Sequence, residues 1–329
     1  KAAIAAAGVR DIRQGPRSGG TSFVLLHHLV GAPAGSVNAR GWWRDGPDAF
    51  TVTAEALARK ANVAIRTGAY VTRITVRDDA VTGVVLANGD EINAPVVIST
   101  LDPARTMLDM VDPVWLDPEF LHAVRQIKMR GCTAFVMYAL DGVPEVTGLP
   151  DPTAALASMV TLTPTTDALE RSYDAAKYGR VSEHLHVEFT IPSLRWPRLA
   201  PEGKHVLVAR AQYAPYTLAD GATWDGPRSS SLTDCVTSVI ARAIPRFANH
   251  ILGCAVMTPV DLERKFGLTE GAVTQGEMTL DQILFMRPVA GYGRHAMPVD
   301  GLYLGGAGAH PGPGILGGAG WLAAKRALK

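Results

Sequence analysis

Apolar residues recur with helical spacing at several places along the chain. An alanine-rich run at residues 1–9 predicts the first helix. Strong helix formers over residues 51–62 predict another, with Thr51 or Thr53 as its N-cap. Pro245 ends a third, long pattern. The helical patterns in the rest of the chain cover residues 103–110, 118–128, 166–178, 232–244 and 317–328.

A change of period marks a group of strands between residues 63 and 100. Val, Ile and Thr dominate this stretch, and the segments 78–79 and 88–90 carry the turn chemistry of hairpins. The run at residues 94–100 is apolar nearly throughout, which predicts a strand buried on both faces. The predicted strands are residues 63–66, 70–77, 81–87 and 91–100.

A second group of strands follows, at residues 133–140, 183–191 and 205–214, with a helical pattern among them. This arrangement predicts a separate sheet with its own helices. The chain closes on a short strand at residues 301–305, a glycine-rich loop and a helix. Together the elements predict an α/β (α+β) fold in two parts.

The closing loop is the strongest candidate for a ligand site. Residues 312–317 match G-x-G-x-x-G between a strand and a helix, which is typical of a dinucleotide-binding unit. Only 12 residues follow Gly317, so the second strand and the ribose-binding acid of such a unit are absent. Glycines before a helix N-terminus still suit a phosphate or an electron-rich ring edge, whereas a tight turn is an equally good interpretation.

Composition narrows the class of protein. The 329 residues are 47% hydrophobic and 19% charged, which excludes a disordered or collagen-like chain. Lys and Arg number 32 against 31 Asp and Glu, so no general attraction to nucleic acid is expected. The apolar runs are too short for a transmembrane segment. Three cysteines without a C-x-x-C pair indicate a reducing, cytoplasmic compartment, with Cys132 and Cys254 as buried thiols.

Several segments, in order along the chain, resemble the phytoene-dehydrogenase-like branch of FAD-dependent oxidoreductases, a group that also holds the amine-oxidase-type flavoproteins. Residues 301–328 are similar to the C-terminal flavin motif of that branch, in which a strand, a T-H-P-G-like loop and a helix meet the cofactor. The other similar segments are residues 20–31, 63–76, 88–103, 192–216 and 258–288.

The resemblance implies a partial Rossmann-like FAD-binding domain and a mixed-sheet substrate domain with helices. Because the family begins with a βαβ unit, and this chain opens on Lys1, the chain is expected to be the C-terminal portion of a longer protein. The implied division is residues 1–40 (helical part of the substrate domain), 41–103 (middle of the FAD-binding domain), 104–284 (substrate domain) and 285–329 (last strand, loop and helix of the FAD-binding domain).

The resemblance also implies the cofactor contacts. Val71 would meet the adenine side of FAD through its backbone. The loop departs from the family pattern at Gly305, Ala309 and Pro313, where Cys, Thr and Gly are usual, and Pro313 lacks a backbone donor. The residues implied to line the pyrophosphate and flavin ring are Gly305, Gly306, Ala307, Gly308, Gly314 and Ile315.

Single polar residues have both functional and structural interpretations. His310 lies in the loop, where it would touch the flavin or substrate, or bond its own backbone, and it is the candidate catalytic residue. His184, His186 and Glu188 alternate on a predicted strand, which permits a metal site, but a solvated or half-buried strand face is favoured and no metal is predicted. Arg44 and Arg287 are candidates for cofactor or active-site contacts.

The function implied by the resemblance is hydride transfer to FAD from a small apolar substrate, by a dehydrogenase, desaturase or isomerase. Amine or amino-acid oxidation is the alternative. A different class of function, a cofactor-free and non-catalytic binding module, stays open because the chain lacks the first dinucleotide-binding unit. No nucleic acid partner is expected, whereas a homodimer and peripheral contact with a membrane stay open.

Overall fold

The computed structural model describes residues 1–30, 42–148, 150–163 and 165–329. Two compact units divide the chain. The first unit comprises Lys1–His27 and Lys128–Gln282, and the second comprises His28–Ile127 and Ile283–Lys329. The predicted boundary between residues 40 and 41 lies outside the described residues.

Nine α-helices and ten strands, labelled in chain order, account for most of the regular structure of the described residues, beside short 3-10 helices and a π-helix at Arg105–Met110. The helices are α1 (Ala2–Gly8), α2 (Thr21–Val30), α3 (Ala49–Lys60), α4 (Pro118–Arg125), α5 (Pro152–Leu156), α6 (Thr166–Lys177), α7 (Gly226–Ala243), α8 (Pro259–Phe266) and α9 (Gly318–Ala327). The strands are β1 (Val71–Arg77), β2 (Ala80–Leu86), β3 (Glu91–Asn93), β4 (Val97–Ser99), β5 (Thr133–Asp141), β6 (Val160–Leu162), β7 (His186–Thr190), β8 (Lys204–Gln212), β9 (Ile251–Met257) and β10 (Leu302–Leu304).

A five-stranded antiparallel sheet forms the first unit, in the order β6-β7-β8-β5-β9. One face carries the alternate apolar residues of β5, β7 and β8, such as Val136, Phe189 and Leu207, and it packs on Val236 and Ile240 of α7. Since successive side chains of a strand point to opposite faces, the residues between them lie on the second face.

The second face is polar at one end. Thr133, His186 and Gln212 are neighbours across the sheet, and Glu188 pairs with Arg210 one step further along. The residues just after α1 cover this end, because the Gln212 side-chain amide donates to the carbonyl oxygens of Val9 at 2.9 Å and Ile12 at 2.8 Å.

Four charged side chains complete this contact, and we call them the N-terminal ion cluster: Arg10, Asp11, Glu188 and Arg210. Arg10 pairs with Glu188, and Arg210 pairs with Asp11. Arg210 Nη1 also lies 3.4 Å from Glu188 Oε2. Two positive and two negative groups thus balance at a buried end of the sheet, and they hold the N-terminal segment against it.

The second unit contains two small sheets. β1, β2 and β3 form an antiparallel meander, and β4 pairs in parallel with β10. Because β10 comes from the end of the chain, this pairing fixes the position of the glycine loop that follows it. The apolar core of this unit joins Met107, Phe120 and Val124 to Leu302 and Leu304.

The sequence predicted many of these elements. Helices α1, α3, α6, α7 and α9 and the strands of the first hairpin lie where the patterns indicated. Asp225 caps α7 by accepting from the backbone N–H of Arg228, and the helix ends before Pro245. The mixed α/β fold class is confirmed.

Other predictions were wrong. Residues 63–66 form no strand, and the strand predicted for residues 91–100 is two strands in different sheets, because Pro95 cannot donate to a ladder. The run at residues 94–100 is not buried on both faces, because the side chains of Val96 and Ile98 are exposed. At the start of α3, Asp48 occupies the N-cap instead of Thr51 or Thr53.

The position of residues 104–127 also differs from the predicted division. They were expected in the substrate domain with residues 128–284, but they lie in the second unit. The cause is apolar packing, because Met107, Phe120 and Val124 are buried in the core that also contains Leu302 and Leu304. Nothing in the helical pattern of this segment specifies which core it joins.

No helix of the part that the structure describes is both long enough and apolar enough to span a bilayer.

Candidate functional site

The glycine loop begins where β10 ends. The backbone N–H of Gly305 donates to the carbonyl oxygen of Ser99 at 2.8 Å, which continues the parallel pairing by one residue. A Cβ on Gly305 would lie 3.1 Å from Ile98 Cγ2 and 3.3 Å from both Ala323 Cβ and Gly320 Cα. Strand and helix α9 are therefore packed too closely for a larger residue without a shift of a few tenths of an ångström. Glycine at this position suits that packing.

Two successive turns carry the chain from β10 towards α9. The backbone N–H of Ala309 donates to the carbonyl of Gly306 at 3.1 Å, and that of Gly312 donates to the carbonyl of Ala309 at 2.9 Å. Gly317 occupies the N-cap of α9 with φ +73°, a left-handed conformation that glycine adopts without strain. The loop therefore ends at a helix N-terminus that has no side-chain cap.

A cavity of about 310 Å³ lies against this N-terminus. Six of its eleven lining residues are glycines, so much of its wall is backbone. The first N–H groups of a helix lack intrahelical acceptors and carry the positive end of its dipole, which favours an anionic or electron-rich group. The lining residues are Gly305, Gly306, Ala307, Gly312, Pro313, Gly314, Ile315, Leu316, Gly317, Ala319 and Gly320.

This donor set fits a flavin nucleotide. No acidic side chain lines the cavity, small residues allow close approach of a flat ring or a phosphate, and α9 supplies the positive helix end. Five of the residues implied by the resemblance line it together: Gly305, Gly306, Ala307, Gly314 and Ile315. Their cofactor contacts remain a prediction.

The other predicted cofactor residues lie outside the lining of this cavity. Gly308 is buried within the first turn, and Val71 is the first residue of β1, paired with Leu86. His310, the candidate catalytic residue, is half-buried in the loop. Arg44 is exposed before α3.

Two buried basic residues support the loop. Arg287, 2% exposed, donates from Nε to the carbonyl oxygen of Ala307 at 2.9 Å. The His295 ring Nδ1 lies 2.9 Å from the carbonyl oxygen of Leu304, and the backbone N–H of Leu304 donates to the His295 carbonyl. Burial lowers the pKa of His295, and the nearby His310 lowers it further.

The sequence identified Arg287 as a candidate but missed His295. That histidine belongs to a second formal G-x-G-x-x-A match, which has no preceding strand. His295 has φ +71°, an uncommon conformation for a residue other than glycine, but this appears only in the folded chain.

The burial of His184, His186 and Glu188 differs from what the sequence predicted. His184 precedes β7 and is exposed, whereas His186 and Glu188 are fully buried, rather than solvated or half-buried as expected. The N-terminal segment covers them, which no local pattern indicates. Throughout the described ranges there is no group of three or more residues suited to holding a metal ion.

The expectation for the cysteines held for Cys132, which is buried, but was wrong for Cys254, which is exposed on the edge strand β9.

Acidification is expected to lower the free energy of unfolding by about 3 kcal/mol between pH 7 and pH 4 through His186. Burial lowers the pKa of this imidazole to about 4, although the charge of Glu188 opposes the shift. Between pH 7 and pH 4 the unfolded chain therefore binds a proton that the native chain does not bind. The free energy of unfolding consequently decreases as the pH is lowered. Urea unfolding across the pH range measures the slope.

Two variants isolate this effect. His186→Gln removes the titrating group and is expected to flatten the pH dependence, whereas His184→Gln changes an exposed histidine two residues away and keeps the slope. A His186→Gln slope equal to that of the unsubstituted protein would show that His186 is not buried in its neutral form.

The family of this chain follows from comparison with known proteins. The sequence model of the family described as flavin containing amine oxidoreductase matches residues 52–327. That range includes most of α3, the glycine loop and all of α9. The chain therefore belongs to the flavin-containing amine oxidoreductase family, and its fold and loop are those of a flavoprotein family of oxidoreductases.

Two curated relatives have the name pyridine nucleotide-disulfide oxidoreductase domain-containing protein 2. The protein of Rattus norvegicus is 35% identical over 327 residues, which are 97% of this chain and 56% of the relative. The protein of Mus musculus is 33% identical over the same share of each sequence. The chain thus spans just over half the length of these relatives.

A solved structure shows the same fold. The crystal structure of an oxidoreductase from Methanosarcina mazei aligns with a TM-score of 0.53 at 18% identity. The alignment covers 84% of this chain and 53% of that one. At such low identity the likeness concerns the fold alone.

Proposed function

We propose that the protein containing this chain is an FAD-dependent oxidoreductase of the phytoene-dehydrogenase-like branch. The observation that carries the proposal is the glycine-lined cavity at the N-terminus of α9, in a chain of a flavin-containing family. FAD supplies a hydride acceptor for such a reaction when it is bound. The residues of the chain bind and orient, while the oxidative chemistry belongs to the cofactor.

Each part of the loop has a role in this proposal. The backbone at Gly306 and Gly314 gives a flat ring or a pyrophosphate room to approach. The N–H groups of Ala319 and Gly320, in the first turn of α9, favour electron-rich atoms. Residues 41–103 and 285–329 would form the cofactor part, with Val71 on its adenine side.

A small apolar substrate is supported by the second face of the five-stranded sheet. Beyond its polar end, this face presents Phe135 and Met137 of β5 beside Val206 and Val208 of β8. All four side chains are half-buried, whereas most of their neighbours along each strand are buried in the core. A half-exposed apolar face suits a hydrocarbon-like ligand. Dehydrogenation, desaturation or isomerisation of a carbon skeleton is therefore the favoured reaction.

Amine oxidation is the second candidate, and the family match supports it. The two reactions differ in the bond that donates the hydride: C–H of a carbon skeleton in one, and C–H beside an amine nitrogen in the other. Dehydrogenation and amine oxidation would both bleach the flavin, so the substrate panel decides between them.

The test is anaerobic mixing of the full-length protein with candidate substrates. We expect loss of the flavin band at roughly 450 nm with apolar polyenes or related hydrocarbons, and none with primary amines or amino acids. Bleaching by amines alone would overturn the favoured substrate class. Isomerisation leaves no reduced flavin, so the polyenes are also recovered and compared with the starting material. A flavin-containing protein that neither panel bleaches and that leaves the polyenes unchanged would favour a non-catalytic binding role.

A further inference from the structure

Arg287 is held in a buried position under the glycine loop. It follows a tight turn at Leu284–Met286 and belongs to the same unit as the loop. Its Nε donates to the carbonyl oxygen of Ala307, a residue that lines the 310 Å³ cavity. The guanidinium therefore contacts the backbone of a residue that forms the cavity wall.

This hydrogen bond determines the orientation of one peptide group of the loop. In a planar trans peptide the C=O and N–H point in opposite directions. Because Arg287 holds the Ala307 carbonyl, the N–H of Gly308 faces away from the guanidinium. The adjoining turn, closed by the N–H of Ala309 and the carbonyl of Gly306, shares this fixed peptide. Arg287 thus contributes to the shape of the loop as well as to its charge.

The charge of Arg287 persists at neutral pH. Burial lowers the pKa of its guanidinium to about 10, which is still well above pH 7. A charge in a poorly solvated site acts on its surroundings more strongly than one in water, since the effective dielectric constant is lower. The positive end of α9 faces the same cavity, so two sources of positive potential meet there.

We propose that Arg287 is a positioning residue that fixes the Ala307–Gly308 peptide and makes the cavity favour the reduced, more negative form of the flavin. This inference rests on the proposed function, because it needs a flavin in the cavity. Positive charge near the flavin ring is a recognised means of tuning its electronics. Arg287 itself reaches the ring only through the loop that it holds.

The experiment measures the reduction potential and FAD affinity of the full-length protein with three single substitutions. Arg287→Gln removes the charge. Arg287→Lys keeps the charge but cannot reproduce the planar guanidinium contact. Arg294→Gln is the matched control, since Arg294 is an exposed arginine in the same segment.

We expect Arg287→Gln to weaken binding of reduced FAD about 10- to 100-fold more than binding of oxidised FAD. At about 30 mV per tenfold change for a two-electron couple, the potential falls by roughly 30–60 mV. Arg287→Lys is expected to weaken both redox forms about equally, by roughly tenfold, and to keep the potential. Arg294→Gln changes neither quantity.

The outcomes separate this inference from the function on which it rests. Unsubstituted protein that binds no FAD contradicts both. Flavin-containing Arg287→Gln with an unchanged potential contradicts the inference alone. If Arg287→Gln does not fold, Arg287→Lys decides: reduced affinity with the potential retained supports the role, whereas unchanged affinity contradicts it. If Arg287 had only a structural role, its substitutions would alter folding, but Arg287→Gln would not lower the reduction potential while Arg287→Lys retained it.

Discussion

Glu188→Ala is expected to lower the free energy of unfolding by about 3–5 kcal/mol, the largest stability effect that we predict for a single substitution. Glu188 is 3% exposed and contacts two guanidinium groups, those of Arg10 and Arg210. Alanine would leave these partly buried cations without their shared carboxylate, and Arg210 would keep only Asp11 as an ion-pair partner among the described residues. The N-terminal segment would also lose one of its attachments to the sheet. Urea unfolding at pH 7 measures the change.

An exposed ion pair provides the control. Arg17 and Asp167 are 64% and 65% exposed, so Asp167→Ala is expected to cost less than about 1 kcal/mol. Glu188→Gln keeps the shape and one acceptor oxygen, but it replaces the other oxygen with an NH2 donor and loses the charge, so an intermediate effect is expected. A Glu188→Ala effect as small as that of Asp167→Ala would contradict the buried N-terminal ion cluster.

Gly306→Val in the full-length protein is expected to weaken FAD binding at least about 100-fold. Gly306 lines the cavity and also accepts the hydrogen bond that closes the first turn of the loop. A branched side chain there would occupy the space through which a ligand approaches the backbone. Equilibrium titration with FAD, followed by absorbance, measures the loss.

Gly253→Val is the matched control for this substitution. Gly253 lies in strand β9, where valine is well tolerated and a Cβ would meet open space. It should keep FAD affinity and stability. If Gly306→Val bound FAD as tightly as Gly253→Val, the flavin would not lie in the glycine-lined cavity.

The sequence was sufficient to predict those elements whose signals are local. Helix α7 has a capping aspartate at its start and a proline after its end, and the β1–β2 hairpin has Asp78 and Asp79 at its turn, both with positive φ. Strand β9 was missed, because its residues, ILGCAVM, show neither alternation nor turn residues at both ends.

Contacts between distant residues could not be predicted in this way. Arg10 and Glu188 are 178 positions apart, and the alternation of His184, His186 and Glu188 indicated a solvated or half-buried strand face. Their burial depends on where the N-terminal segment packs. Residues 104–127 belong to the second unit for the same reason, namely packing against residues far away in the sequence. Their helical pattern is compatible with either core.

The candidate site was predicted in part. The glycine loop has a local signature, a strand followed by closely spaced glycines and a helix, and five of the implied residues do line one cavity. The buried residues that support the loop have no local signature in the sequence. Arg287 meets Ala307 across 20 positions, and His295 meets Leu304 across 9, so only the folded backbone brings them together.

The central claim is that the cavity at the N-terminus of α9 binds FAD, and the most direct measurement is the flavin content of the purified full-length protein. We expect absorbance bands at roughly 370 and 450 nm that remain after gel filtration, with close to one FAD per chain after reconstitution. A colourless protein that takes up no added FAD would contradict the account.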